Sequence, residues 1–334
     1  MIDGRPGLDA RRVTQLMRRA IERCALDLSG LTVLTEAASG CYLVTPVLAA
    51  LAGAARVLAV ARTTHSGRAD DIGAATLALA RQSNVADRIE LVTSEVRTVI
   101  ARADIVTNSG HVRPIDASIV AAMKPHAVVP LMYEAWEFRP DDLDLAACRR
   151  AGVLVGGTNE RHPNIDVFSY LPLMAVRLLT DAGIAVYRSS ILLLCDNPFR
   201  TFLERGLRAA GACVESVDHL AQAHGEEFDA ILVSVTPGAV SVITSAEVQE
   251  LAQRWPGAIV AQFWGDVDRT ACTAAGVPVW PVEPPRPGHM GLLLSDLGPE
   301  PIVRLQTGGL KAGEVLWRHG AGELDLDWHY VDLL

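Results

Sequence analysis

The sequence has few aromatic residues and no concentrated positive charge, and both features narrow the class of protein to which it can belong. Phenylalanine, tryptophan and tyrosine make up only 5% of the 334 residues, while 50% of the chain is hydrophobic. Its core must therefore be built mainly from Ala, Val and Leu, as in parallel α/β proteins. The net charge is −9 and there is no basic block, so we expect neither nucleic acid nor an anionic membrane surface as a partner.

We also expect no disulfide framework, no secretory leader and no membrane span. The six cysteines show no CxxC spacing, which favours a reducing cytoplasm and predicts neither a disulfide framework nor a zinc site. The N-terminus, MIDGRPGLDARR, has no apolar core of a signal peptide. The apolar run Tyr42–Ala61 has spanning length, but Pro46, Gly53 and Arg56 interrupt it. We interpret it as a helix, a turn and a strand of a cytoplasmic protein.

Strand-like and helix-like segments alternate in the order of a doubly wound sheet. After an amphipathic helix at Leu8–Asp27, the first half has short apolar runs at 31–35, 57–61, 89–93, 104–108, 127–132 and 153–155. The pattern restarts at Ile191–Leu194, after an apolar helix at Phe168–Ala182. We predict an α/β fold of two doubly wound parallel-sheet (Rossmann-like) domains, at residues 1–164 and 165–300. Residues 301–334 form a C-terminal segment that could pack back on the first domain, with a helix broken at Gly308-Gly309.

Polar side chains follow nearly every predicted strand of the first half. Because parallel strands point their carboxyl ends to one edge of the sheet, these side chains should gather there. So many hydrogen-bonding groups in an Ala- and Leu-rich chain predict a ligand site at this edge. The residues are Glu36, Ser39, Arg62, His65, Asn108, Ser109, His111, Arg113, Tyr133, Glu134, Trp136, Glu137, Thr158, Asn159, Glu160, Arg161 and His162.

Three of these residues are predicted to be catalytic. His111 and His162 are the candidates for proton transfer, because imidazole titrates near neutral pH. Glu134, like Glu137 beside it, would orient one of them or hold a ribose. The competing interpretation is that a histidine in a loop caps a turn.

A second group is predicted to bind the substrate. Arg113 and Arg161 could each hold a carboxylate or phosphate through two parallel hydrogen bonds. Asn108, Asn159 and Tyr133 would complete this site. The remaining histidines show no metal-ligand spacing, so no metal is predicted.

The predicted cofactor residues follow the first strands of each half. Gly40 is the only glycine in the first strand–helix loop, where dinucleotide folds carry G-x-G-x-x-G. Arg62 stands at the tip of the second strand, where an acid usually binds ribose and where an arginine suits a 2′-phosphate. In the second half, the corresponding turn lacks glycine, which favours a weakened or lost site. The predicted set is Glu36, Ser39, Gly40, Arg62, Asn197 and Thr236.

The stretch Ala103–Tyr170, followed by SSILLLCDNPFRTFLERGLRAAGACV, resembles the NAD-dependent D-2-hydroxyacid dehydrogenase and adenosylhomocysteinase group. The match lies in Thr158, Asn159, Asn164 and Val167, near the hinge predicted at Gly156–Asn164. The resemblance implies NAD or NADP as cofactor. It also implies an oxidoreductase that acts on a small polar metabolite bound in the cleft between two Rossmann-like domains. A homodimer is one assembly that such a protein can form.

Two alternatives stay open. Leu31–Asn108, with E-x-x-x-G and NVADRIELVTSE, is similar to S-adenosylmethionine-dependent methyltransferases. In that case Glu36 and Gly40 would border the methionine part of S-adenosylmethionine, and Arg62 would take the ribose position, where an acid is expected. The second alternative is a Rossmann-like binding or scaffold protein without catalysis.

Overall fold

The structure, a computed structural model, describes residues 5–64, 67–238, 243–286 and 288–334. The chain forms two compact units, Met1–Val167 with Gly298–Leu334 and Phe168–Leu297. It therefore leaves the first unit, builds the second and then returns to the first. Among the described residues, no helix is long and apolar enough to cross a membrane.

Strands and helices alternate through most of both units. The strands are β1 (Thr32–Glu36), β2 (Arg56–Val60), β3 (Ile89–Val92), β4 (Ile105–Val106), β5 (Val128–Pro130), β6 (Leu154–Thr158), β7 (Ser190–Leu194), β8 (Cys213–Val217), β9 (Ala230–Ser234), β10 (Ile259–Trp264), β11 (Val279–Trp280) and β12 (Val331–Asp332). The α-helices are α1 (Ala10–Cys24), α2 (Val44–Leu51), α3 (Ala69–Gln82), α4 (Ala117–Ala121), α5 (Leu145–Ala151), α6 (Leu171–Asp181), α7 (Phe199–Ala209), α8 (Ser245–Arg254), α9 (Arg269–Ala275) and α10 (Pro299–Gly320).

The first unit contains one sheet with the strand order β3-β2-β1-β4-β5-β6-β12. Neighbouring strands are parallel except β12, which runs antiparallel beside β6. The direction of winding reverses between β1 and β4, as in dinucleotide-binding folds. Ligands of such sheets bind at the carboxyl ends of the strands beside this reversal, which is where Glu36 and the loop after β4 lie.

The second unit contains a fully parallel sheet with the order β11-β10-β9-β7-β8. This is the other common doubly wound order, with its reversal between β7 and β9. Its central strands consist mostly of buried aliphatic residues, because helices cover both faces of such a sheet. The two sheets confirm the predicted fold of two doubly wound, Rossmann-like domains.

Helix α10 is continuous, so the predicted break at Gly308-Gly309 is wrong. These glycines lie against the first sheet instead of ending the helix. A Cβ on Gly309 would stand 2.5 Å from the Sδ and Cε atoms of Met132, and one on Gly313 would stand 3.0 Å from Ile105 Cγ2. The close approach buries apolar surface, which offsets the low helix propensity of glycine.

Two buried charges attach α10 to the segment between α1 and β1. Lys311 Nζ donates to the backbone oxygen of Ala25 at 2.9 Å and to Glu314 Oε2 at 2.9 Å. The same Glu314 oxygen accepts from the backbone N–H of Asp27 at 3.0 Å. Each charge has its partners in place, as a buried ion pair requires. The C-terminal helix is therefore joined to the start of the first sheet.

Two elements of the first unit differ from the sequence predictions. The sequence pattern of residues 94–101 also predicts a helix, but this segment forms a pair of 3₁₀ turns. The strand predicted at 153–155 continues to Thr158, so the first residues of the predicted hinge are strand. The strand can pass this close to the loop after β5 because residue 157 is a glycine. A Cβ on Gly157 would lie 2.6 Å from the backbone nitrogen of Ala135.

We expect a leucine at position 313 to destabilise the first unit. Gly313→Leu would force a side chain against Ile105 and Pro130, and overpacking of this kind lowers the free energy of unfolding by about 1–3 kcal/mol. The control is Gly320→Leu in the same helix, where a Cβ has only an ordinary 3.6 Å contact to Leu154. Urea unfolding measures both variants, and an equal loss in the two would contradict the packing role of Gly313.

Candidate functional site

The loops after β1 and β4 meet where the order of the first sheet reverses. The Oε2 atom of Glu36, the last residue of β1, accepts a 3.1 Å hydrogen bond from the backbone N–H of His111. Gly110 passes so close that a Cβ there would lie 3.0 Å from the same oxygen. The structure therefore brings together Glu36 and His111, which were predicted for cofactor binding and catalysis.

The ring of His111 is held in one orientation. Its Nδ1 atom lies 3.2 Å from the backbone oxygen of Val60 at the end of β2. A carbonyl oxygen only accepts hydrogen bonds, so Nδ1 carries a hydrogen, and in a neutral imidazole Nε2 would then have the lone pair. The side chain is partly buried. A neutral imidazole held in this way could act as a general base at the carboxyl edge of the sheet.

A polar cleft of about 530 Å³ opens at the ends of β2 and β3, beside the loop after β4. Its charged lining comprises three arginines and two acids, and the Arg113 guanidinium is paired with Asp142, so an anion in the cleft would meet Arg62 and Arg97. Arg62 lies there as an exposed side chain. His65, predicted for the same edge, lies outside the described residues. The polar lining consists of Arg62, Arg97, Arg113, Glu95, Asp116, Thr93, Ser94 and Ser118.

Ser39 and Gly40 form the turn between β1 and the helical segment that leads into α2. Gly40 has φ +62°, and a Cβ built on it would meet no atom within 4 Å. Ser39 precedes a 3₁₀ turn at Gly40–Leu43, and its side chain makes no capping hydrogen bond. The backbone of this turn is therefore open to a ligand that approaches from the carboxyl edge.

The predicted substrate residues Asn108, Arg113 and Tyr133 bond to one another. Arg113 Nε donates to Asn108 Oδ1 at 2.9 Å, and Asn108 Nδ2 donates to the Tyr133 hydroxyl at 2.9 Å. The Arg113 guanidinium also lies 3.2 Å from Asp142 Oδ2. This network joins the loops after β4 and β5. Arg113 also borders the cleft.

Three glutamates, which we call the carboxyl cluster, lie after β5 and β6: Glu134, Glu137 and Glu160. Glu134 is fully buried, and its Oε1 accepts from Arg161 Nε at 3.0 Å while its Oε2 accepts from Trp136 Nε1 at 2.7 Å. Arg161, predicted to hold a substrate anion, therefore pairs with Glu134. Among the described residues, no group of His, Cys, Asp or Glu side chains is arranged to hold a metal ion.

Burial raises the pKa of every carboxyl group in the carboxyl cluster. The pKa of Glu137 rises to about 7, and the charge of Glu134 adds to the effect of burial. The pKa of Glu160 rises well above its usual value, with contributions from the charges of Glu137 and Glu134. The sequence predicts a polar role for these glutamates at the edge of the sheet, but nothing in a loop sequence shows that their carboxyl groups will be buried together.

The C-terminal segment holds the loop after β6, which contains Asn159 and His162. The His162 ring stacks on Tyr330 at 3.9 Å, and its Nδ1 accepts from the backbone N–H of Asn164 at 3.2 Å. Burial lowers the pKa of His162. Asn159 Nδ2 donates to the backbone oxygen of His329 at 2.8 Å. These two predicted site residues therefore attach the loop to the C-terminal segment.

In the second unit, the predicted cofactor residues Asn197 and Thr236 lie at the reversal between β7 and β9. Asn197 Oδ1 accepts from the backbone N–H of Phe199 in the first turn of α7, at 3.1 Å. Asn197 Nδ2 donates to the backbone oxygen of Ser234 at 2.8 Å, and the backbone N–H of Thr236 donates to Asp196 Oδ1 at 2.8 Å. A helix amide that would face a phosphate in a dinucleotide site is bound here by the chain's own side chain.

We expect Glu160→Gln to stabilise the protein at high pH. At a pH below the usual carboxyl pKa of 4.5, the group is protonated in both the folded and the unfolded chain. As the pH rises, the unfolded chain ionises first, so the free energy of unfolding falls by about 1.4 kcal/mol for each unit by which folding raises the pKa. Glutamine removes this loss.

Thermal unfolding between pH 4.5 and 8.5 measures the effect. The melting temperature of Glu160→Gln should exceed that of the wild type at pH 8.5 and approach it at pH 4.5. The exposed Glu226→Gln serves as control. A difference that is the same at both ends of the pH range would contradict a raised pKa.

No protein-family model and no curated protein matches the chain, but solved structures match in fold. A dipicolinate synthase chain from Bacillus subtilis has a TM-score of 0.53 and 12% identity over 90% of this chain and 100% of its own. Its counterpart from Bacillus halodurans has a TM-score of 0.52 and 10% identity over 89% of this chain and 100% of its own. The NAD⁺-bound 3-phosphoglycerate dehydrogenase of Entamoeba histolytica has a TM-score of 0.49 and 10% identity over 90% and 98%.

These identities are too low to carry over an activity, and the likeness shows the fold. The two dipicolinate synthase chains confirm the fold of two Rossmann-like domains that the resemblance implied. The comparisons give the methyltransferase alternative no support. What the chain shares with these structures is two Rossmann-like units, and its function has to be argued from its own residues.

Proposed function

We propose that this chain is an NADP(H)-dependent oxidoreductase acting on a small polar metabolite, and that its first unit binds the dinucleotide. The arginine-lined cleft at the ends of β2 and β3 carries the proposal. In a sheet of this order, the ribose of the adenosine half lies near the end of the second strand, and an arginine there accommodates a 2′-phosphate. Arg62 stands at that position, two residues after β2.

The other residues at this edge fit the same ligand. Gly40 leaves the backbone of the first turn open, so a diphosphate could approach its amide groups. Arg97, which lines the same cleft, could share the charge of the 2′-phosphate with Arg62. Glu36 is an acceptor beside the reversal and suits a sugar hydroxyl. With one glycine in place of three, contact with the diphosphate would depend on Ser39 and Gly40.

His111 is the residue best placed to move a proton. NADP⁺, when bound, would accept the hydride that the substrate loses. As a substrate hydroxyl or amine is oxidised, its proton would pass to Nε2 of His111, whose Nδ1–H is fixed by the backbone oxygen of Val60. Glu134 and Arg161 neutralise each other, so we give them no direct part in the reaction.

The solved dipicolinate synthase chains support this proposal through the shared fold alone. The chief alternative, a binding or scaffold protein without catalysis, differs in having no dinucleotide ligand. A methyltransferase would instead bind S-adenosylmethionine, and Arg62 stands where that class is expected to have an acid. The cytoplasmic location and the homodimer remain predictions from the sequence.

We expect Arg62→Ser to weaken NADPH binding by about tenfold or more, because charged hydrogen bonds contribute roughly 1.5–3 kcal/mol. The affinity for NADH should change little, because NADH lacks the 2′-phosphate. Tryptophan fluorescence titration measures both, with Arg81→Ser on the exposed face of α3 as control.

Three outcomes of this titration would contradict the proposal. If NADPH and NADH bind with equal affinity, and Arg62→Ser leaves both affinities unchanged, Arg62 does not bind the 2′-phosphate. A response to S-adenosylmethionine alone would favour the methyltransferase. A folded chain that binds none of the three ligands would favour the scaffold.

The two predicted catalytic histidines should behave differently when replaced. His111→Gln is expected to lower kcat by about 100-fold or more, the usual contribution of a general base. His162→Gln should leave kcat little changed but lower the melting temperature, because the stacking on Tyr330 is lost. Turnover is measured with NADP⁺ and a panel of small 2-hydroxy acids. The reverse ranking would exclude His111 as the base.

A further inference from the structure

Glu160, in the loop after β6, is a buried acid of the carboxyl cluster whose carboxyl group has no hydrogen-bond donor among the described residues. Only 7% of its surface is exposed. Burial and the charges of Glu137, Glu134 and Arg161 are what act on it. A buried acceptor that no donor satisfies destabilises a fold. Because the folded chain does not supply a donor, Glu160 points to a partner from outside the chain.

The other two acids of the cluster differ in how far they are paired. Both carboxylate oxygens of Glu134 are occupied, one by Arg161 and the other by Trp136. Glu137 has only the backbone N–H of Glu134 beside its carboxyl group, and its side chain is partly exposed. The carboxyl groups of Glu137 and Glu160 therefore remain for a ligand.

The charges around the cluster leave negative charge in excess when its carboxyl groups are ionised. Arg161 is paired with Glu134. Asp332 of β12 adds a further negative charge that acts on Glu134. Arg139 is the other cation near the cluster, and its guanidinium also lies over the ring of Tyr133, 5.5 Å from the centroid. Four acids and two arginines therefore face one another here, and an added cation would be attracted.

The cation that fits best is a primary ammonium group. It is compact and has three N–H donors, which two carboxylates can share. A quaternary ammonium group has the same charge but no donor, so it would leave the oxygens of Glu160 without a hydrogen bond. We propose that Glu137 and Glu160 form a binding site for the primary ammonium group of a small organic molecule.

This site and the arginine-lined cleft lie in different parts of the same edge of the sheet. Strands β5 and β6 stand on the other side of the reversal from β2. In the sheet order, β2 and β5 are three strand positions apart, which corresponds to about 14 Å at the usual strand spacing. The ammonium site therefore does not depend on the oxidoreductase function proposed above, and the two sites can be titrated separately.

The test uses two cations of equal charge. Methylammonium chloride should raise the melting temperature of the full chain at pH 8.5, because a ligand of the folded state stabilises it. NMR titration should give a Kd on the order of 10 mM, the limit for a ligand of two non-hydrogen atoms. Tetramethylammonium chloride should act no more strongly than sodium chloride of the same concentration. Equal effects of the two organic ions would reduce the effect to charge screening and overturn the proposal.

The affinity for methylammonium should also depend on pH. An alkyl ammonium group, with a pKa of about 10.4, keeps its charge at both pH 5 and pH 8.5. Burial raises the pKa of Glu137 to about 7 and that of Glu160 well above its usual value, so both carboxyl groups are protonated at pH 5. Binding should therefore be at least about tenfold weaker at pH 5 than at pH 8.5. Equal affinity at the two pH values would show that these carboxylates do not bind the ion.

Three variants locate the site. Glu160→Gln keeps the shape of the side chain but removes its charge, and it should abolish the binding of methylammonium at pH 8.5. Glu95→Gln removes an exposed carboxylate at the same edge of the sheet and should retain the wild-type Kd. Glu137→Gln should weaken binding by about tenfold or more, and it takes the place of Glu160→Gln if that variant does not fold, as judged by circular dichroism.

Two further results would overturn the proposal. One is the failure of methylammonium to bind the wild-type chain at pH 8.5. The other is binding that survives unchanged in Glu160→Gln. NADPH titration of the same samples reports on the oxidoreductase proposal separately, so the two proposals can fail independently.

Discussion

The packing of α10 on the first sheet is the contact on which the rest of the first unit depends. A doubly wound sheet needs helices on both faces. Helices α2 and α3 connect β1, β2 and β3, while α4 and α5 connect β4, β5 and β6. Helix α10 contacts β5, β6 and α2, and it therefore covers one face of the sheet at β5 and β6. Its glycines permit the approach, and the Lys311–Glu314 pair sets its position relative to β1.

The polar side chains at the carboxyl edge of the first sheet fall into two groups, those bonded to other side chains and those exposed to a ligand. Some are bonded to one another, as Asn108, Arg113 and Tyr133 are, or pair as Glu134 and Arg161 do. A buried polar group that lacked such a partner would destabilise the fold. Arg62 differs because its side chain is exposed in the arginine-lined cleft. Burial and pairing therefore separate residues that hold the loops together from residues available to a ligand.

The sequence was sufficient for two doubly wound domains and for the position of Arg62 after β2, because both follow from local order along the chain. Alternating apolar runs and helical patterns mark the strands, and a residue that follows a strand must lie at its carboxyl end. The pairing of loop residues with distant partners is not local. His111 and His162 look alike in sequence, yet one bonds the backbone at the end of β2 and the other stacks on Tyr330. The joint burial of Glu137 and Glu160 is equally invisible to periodicity, as is the sheet-facing side of Gly308-Gly309.

The insertion of the second unit into the first has a consequence for how the chain acquires its structure. Phe168–Leu297 is continuous and can fold as soon as it leaves the ribosome. The first unit cannot be completed until Gly298–Leu334 has been synthesised. This segment contains its antiparallel edge strand and the helix that covers β5 and β6. Until then, the apolar surface of those strands is exposed and the sheet edge at β6 is unpaired. During synthesis the N-terminal part of the protein is therefore the last to be completed, and it is the part most exposed to aggregation or to chaperones.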